Sequence, residues 1–216
     1  MDLTHVLNLS VHVGAGITGI GVGVVQLLRR KGDARHGKLG RWFLGAVLIV
    51  TGSAAIGLIA FRFMPMFAVL TVLAAYVAVG GWRAAQTRAA GPGMIDLWWT
   101  LAGTAGAIAL FPVLRDAPHT ENSLPVVVWS SFGALATVLV YDLVRWTFPR
   151  RWFAWLWLPE HIYKVNSALF GMLSAFAGNV VRWGQPWSQI APSAIGIAVI
   201  LYWWWRSASF SRATAR

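Results

Sequence analysis

The chain has no cysteine and is poor in acid: seven Asp and Glu stand among 216 residues, and charged side chains of both signs make up only 12%. Without cysteine there is no disulfide framework of the kind that holds small secreted domains together. So few charges exclude a disordered chain and an ordinary soluble enzyme, because soluble domains carry about 25% charged residues. What is present is 57% hydrophobic, with a mean hydropathy of +0.61, fourteen tryptophans, and eighteen Lys and Arg that leave a net charge of +11. That combination admits two classes, a polytopic membrane protein or, on charge alone, a nucleic-acid binder.

A membrane helix needs about 20 mostly apolar residues to cross roughly 30 Å of hydrocarbon. Seven stretches meet that length, at 6–28, 42–61, 63–82, 94–114, 125–144, 165–181 and 188–205, separated by short charged turns. The fold expected is an all-α, seven-transmembrane-helix bundle forming one integral membrane domain over 1–216. Residues 1–5 lack the basic start of a signal peptide, so the first span is expected to stay as a helix.

Charge sets the orientation. Segments 29–41, 83–88, 145–164 and 206–216 hold fifteen of the eighteen cations, and the opposite side has only Arg62, Arg115 and Arg182. Short loops rich in Lys and Arg stay cytoplasmic, which puts the N-terminus out and the C-terminus in, as an odd number of spans requires. Eleven of the fourteen tryptophans fall near the basic side. Segment 146–157, with Arg150 and Arg151 among its tryptophans, reads as a short helix in that interface. A nucleic-acid surface needs its cations on one groove-fitting element. These cations are spread over four loops, so their excess means topology and attraction to anionic lipid at the cytoplasmic face; no nucleic-acid partner is expected.

Gly14-Ala15-Gly16-Ile17-Thr18-Gly19 spells the G-x-G-x-x-G dinucleotide motif. It lies mid-span, with no strand before it and no acid about 20 residues on, so it has none of the context that gives the motif meaning. The glycines instead form a face: His12, Gly16, Gly19, Gly23 and Gln26 follow one another at helical spacing. Two uses fit such a stripe. Gly19 and Gly23 make G-x-x-x-G, which lets helices approach closely, and a histidine above a smooth groove suits a flat macrocycle such as haem. Ser167, Gly171, Ser174 and Gly178 form a second small-residue stripe.

Of the five histidines, His5, His12 and His119 sort to the outer side and His36 and His161 to the inner. His12 is two turns inside the first span. Asp33 suits an N-cap, which puts His36 in the first turn of the second helix. Pro159 suits a first helical position, which puts Glu160 and His161 in the first turn of the sixth. Two histidines at one depth on separate helices can bracket an iron as axial ligands do in b-type cytochromes; facing lipid phosphates is the other use open to them. The chain has no H-E-x-x-H, no C-x-x-C, no histidine in the last span for a seven-span zinc hydrolase, and no lysine there for retinal. Asp96 and Asp142, near the inner ends of spans four and five, are expected to pair with Arg83, Arg88 or Arg145. Gln26, Asn166 and Asn179 are placed to hydrogen-bond across helices.

The run Lys31-Gly32-Asp33-Ala34-Arg35-His36-Gly37-Lys38-Leu39-Gly40-Arg41 resembles the K-G-x-x-x-H-x-x-x-G-R signature of a family of predicted multi-pass bacterial membrane proteins of unknown function. There, too, it follows a span that opens with a histidine, and a later histidine heads the penultimate span, as His161 does here. The resemblance implies a bacterial inner membrane and supplies no activity. More distantly, His12 on the outer half of one helix and His36 at the inner start of the next is similar to the ascorbate-reducible dihaem cytochromes b. That likeness implies an outer haem ligand in His12 and an inner one in His36. Those proteins draw partner histidines from the next two helices; spans three and four here have none, so His161 would complete the inner site and the outer one would depend on His119. The expectation is a membrane redox protein carrying haem b on His36 and His161, with His12 and the Gly16, Gly19 and Gly23 face as a further cofactor seat. A non-catalytic subunit of a larger membrane complex is the alternative, and a small-solute transporter the third.

Overall fold

The computed structural model describes residues 2–116, 125–181 and 183–213, with side chains as far as residue 208. His119 and Arg182 lie outside the described residues. Among those described, all regular structure is helical: α1 (Leu3–Leu28), α2 (Ala34–Ala60), α3 (Pro65–Thr87), α4 (Met94–Arg115), α5 (Pro125–Val144), α6 (Phe153–Val180) and α7 (Trp187–Ala213). Turns of 3-10 type sit at Arg88–Ala90, Arg145–Thr147 and Arg150–Trp152. Seven helices stand where seven spans are expected. Five of them, α1 to α5, are long and apolar enough to cross a membrane. α6 and α7 do not reach that hydropathy among the described residues.

The helix ends follow from local chemistry. Asp33 accepts from the His36 backbone N–H at 2.6 Å and caps α2 as expected. Pro65 opens α3, where a missing N–H is harmless. After α3 the chain turns through Arg88 at φ 47 and Gly91 at φ 74. At Gly91 a Cβ would stand 2.7 Å from the Phe153 ring, so both conformation and space require glycine there.

α6 departs from the sequence expectation. It starts at Phe153 rather than near 165 and carries Pro159 inside it. The ring removes one backbone hydrogen bond near the helix start, and the helix continues through it. Glu160 and His161 therefore sit about two turns in, not in the first turn. The interfacial helix expected over 146–157 is replaced by the two 3-10 turns and the opening of α6.

α3 and α6 form the centre. α3 packs against α2, α4, α5 and α6; α6 packs against α1, α3 and α7. Val47, Val69, Val77, Leu135, Val138 and Ala168 make the most deeply buried apolar core. α1 and α2 run antiparallel as a hairpin at the edge, and the only buried residues of α1 are Gly19 and Gly23.

Candidate functional site

The basic-loop end of the bundle holds a buried polar network drawn from four helices. On α5, Asp142 accepts from Tyr76 Oη of α3 at 2.5 Å and from Lys164 Nζ of α6 at 2.7 and 2.9 Å. Lys164 also donates to Glu160, one turn back on α6, at 2.7 Å. Arg145 donates to Glu160 and pairs with Asp142 at 3.4 Å. Tyr76 extends the network to Thr100 of α4 at 3.3 Å. Thr100 bonds the Asp96 carbonyl, and Asp96 takes a two-point bond from Arg83 at 3.0 and 2.9 Å. Lys164 is 0% exposed and Asp142 1%.

Three cations face three carboxylates, so the network closes without net charge. That is the condition under which ions tolerate a low-dielectric interior. Pairing of Asp96 with Arg83 and of Asp142 with Arg145 agrees with the sequence expectation. Lys164, Glu160 and Tyr76 escaped it. The available signal was Glu160 and Lys164 at i and i+4, hidden once Pro159 was taken as a helix start.

Beside this network the structure brings His36 and His161 together. Their ring centroids are 6.4 Å apart with planes at 79°. His161 Nδ1 donates to the Gly81 carbonyl at 2.8 Å, since a carbonyl only accepts. This fixes the tautomer and leaves Nε2 with its lone pair. Gly81 permits the approach: a Cβ there would meet Val165 at 2.8 Å. Gln26 Nε2 lies 3.3 Å from His36 Nδ1 and donates to its carbonyl at 3.4 Å, so Gln26 does bond across helices. Asn166 and Asn179 do not; each donates to a carbonyl of its own helix.

His12 stands apart from this pair. Its Nδ1 is 3.1 Å from both the Val50 carbonyl and Ser53 Oγ, within the α1–α2 interface. The glycine face is a packing face. A Cβ on Gly19 would meet Met172 at 3.0 Å and Ala46 at 3.2 Å, and one on Gly23 would meet Leu169 at 2.6 Å and Phe43 at 3.1 Å. Gly16 has Val50 at 3.9 Å. Side chains of α2 and α6 lie close against Gly19 and Gly23. Half of the second stripe packs against α7: Ser174 bonds Ser193 at 2.8 Å and Gly178 lies against Gln189, whereas Gly171 faces open space.

Lys31 closes this end. Its ammonium donates to the carbonyls of Gln26, Leu27 and Arg29 at 2.7 to 2.9 Å and sits 4.5 Å above the Trp203 ring. It neutralises the free carbonyl end of α1, and burial holds its pKa below the usual lysine value. Trp204 Nε1 donates to the Pro159 carbonyl at 3.0 Å, tying α7 to the proline turn of α6. No family model, no curated protein and no solved structure matches this chain.

Proposed function

We propose that this is an integral membrane protein whose functional centre is the His36–His161 pair, serving one-electron transfer through a single b-type haem. The observation that supports it is the convergence of these two rings from α2 and α6 at 6.4 Å. These two imidazoles would be the residues that hold the iron.

The donor set suits a haem iron. It offers two imidazoles, and no group of three His, Asp or Glu that could hold a metal is present among the described residues; a haem takes its remaining donors from the macrocycle. When bound, haem supplies reversible one-electron chemistry. The protein's own part is orientation: the Gly81 carbonyl fixes His161, and the Gln26 amide lies against the His36 ring at 3.3 Å. A macrocycle held by these two histidines would need room between α2 and α6.

His12 is not part of this centre, so one haem is proposed rather than two. The proposal sets the protein in a bacterial inner membrane, with the basic loops cytoplasmic. The test is the absorbance spectrum of protein expressed with added haem precursor. The expected result is a Soret band and a sharpened α-band on reduction, both lost in His36→Ala and His161→Ala. Fully loaded wild-type protein with no Soret band ends the reading.

A second reading is favoured by the charge-balanced network and the closed glycine faces, which are devices of rigid helix packing. Under it the chain is a non-catalytic subunit of a larger membrane assembly. Partners would then co-purify undiminished with the double His36→Ala, His161→Ala protein.

A further inference from the structure

The outer face of the α1–α2 hairpin carries an open groove of about 700 Å³, within the range of small-molecule sites. Its floor is made by Gly14 and Ala15 of α1 and Gly45 of α2, and at its basic-loop end stand Lys38, Arg41 and Trp42. The two hydroxyls along it are internally bonded: Ser10 donates to the Val6 carbonyl and Thr18 to the Gly14 carbonyl, each at 2.8 Å. The walls are therefore apolar in effect. Neither Lys38 nor Arg41 forms an ion pair among the described residues, while Arg83, Arg145 and Lys164 all do.

We propose that this groove binds one anionic phospholipid, with an acyl chain along Gly14, Ala15 and Gly45 and the phosphate on Lys38 and Arg41. Charge and dimension both point to that occupant. A long apolar channel ending in two uncompensated cations complements an anionic head on an apolar tail. From Lys38 to Ile49, which also lines the groove, α2 rises about 16 Å at roughly 1.5 Å per residue. That is about one leaflet of a ~30 Å core. Trp42, 62% exposed, has the amphipathic ring that settles at headgroup depth. The inference rests on the membrane reading of the apolar helices and is independent of the histidine centre.

The structure also supplies a plug. A Cβ on Gly45 or on Gly14 meets nothing within 4 Å, so Gly45→Leu and Gly14→Leu fill the groove without touching the packed interior. The experiment titrates delipidated protein in detergent with phosphatidylglycerol or phosphatidylcholine and counts bound lipid by native mass spectrometry. Wild type is expected to prefer phosphatidylglycerol by about thirty-fold, the worth of two interfacial cations. Lys38→Gln with Arg41→Gln should erase the preference, and either leucine plug should weaken both lipids.

Unchanged binding in the plugs, or an unchanged preference without the cations, overturns the proposal. So does competition by inorganic phosphate, which would make this a free-anion site. Loss of a dimer in the plugs with lipid retention intact would mark the groove as the seat of a second copy, and would overturn it too. Alkaline extraction from liposomes separates the levels: extracted protein sinks the membrane reading itself, whereas inserted protein without lipid preference sinks only the groove.

Discussion

Lys164 has the most demanding position in the molecule. Its ammonium is fully buried and bonded to Asp142 and Glu160 on two helices. A buried ion pair adds little net stability over an apolar pair, but removing one partner strands the other and costs about 3–5 kcal/mol. Lys164→Met and Asp142→Leu alone are each expected to lose stability of that order in detergent. The double variant should lose clearly less than the sum, because Arg145 and Glu160 remain paired. Thermal melts followed by tryptophan fluorescence decide it; additive losses would mean that the two residues do not act as one unit. Of the residues in this network, Asp96 and Asp142 were legible in the sequence because carboxylates inside apolar spans demand partners. Lys164 was not, because its depth depends on where α6 begins. His36 and His161 were legible as a pair at one depth, but their meeting depends on the packing of α2 and α6 over Gly81. Nothing local in the sequence encodes that.

At the scale of elements, glycine separates two kinds of helix contact. Gly23 and Gly81 stand where a Cβ would collide with a neighbouring helix, whereas Gly14, Gly21 and Gly45 face open space. Gly81→Ala is expected to cost about 1–3 kcal/mol, as overpacking does, and to loosen His161 along with the α3–α6 contact. Gly21→Ala, on the same helix as Gly23, should be neutral or slightly stabilising, because it lowers the backbone entropy of the unfolded chain. Chemical denaturation of both variants in one detergent checks the contrast; equal effects would deny the packing role. The G-x-x-x-G stripe of α1 announced itself by spacing. Gly81 did not, nor did Gly103, where a Cβ would meet Tyr76 at 2.7 Å, or Gly196, where it would meet Phe170 at 2.6 Å, since spacing shows a smooth face only when several small residues line up. Pro159 misled for a related reason: proline is acceptable both at a helix start and, at the loss of one backbone hydrogen bond, inside one.

At the scale of the whole molecule, the number of helices was the most legible feature. Apolar length determines it for α1 to α5, and no long-range contact has to be inferred. The orientation expected from the basic loops is simple to measure, because the chain has no cysteine. Arg30→Cys and Arg62→Cys place one thiol each at opposite ends of the hairpin. In intact cells a membrane-impermeant maleimide is expected to label Cys at 62 and to reach Cys at 30 only after lysis. The reverse pattern would invert the topology.

The two helices that fall short of spanning hydropathy are α6 and α7, and α6 carries both Glu160 and Lys164. On the membrane reading, translation would deliver Asp142 and Arg145 first, on a segment apolar enough to enter unaided. Lys164 and Glu160 of α6 would then meet counter-charges already in place. Biogenesis would thereby be ordered: α6 would enter as a dependent of α3 and α5, and α7, which packs on α6, would follow it. A chain that lost Asp142 would offer α6 one counter-charge fewer, so a smaller share of it would reach the membrane folded.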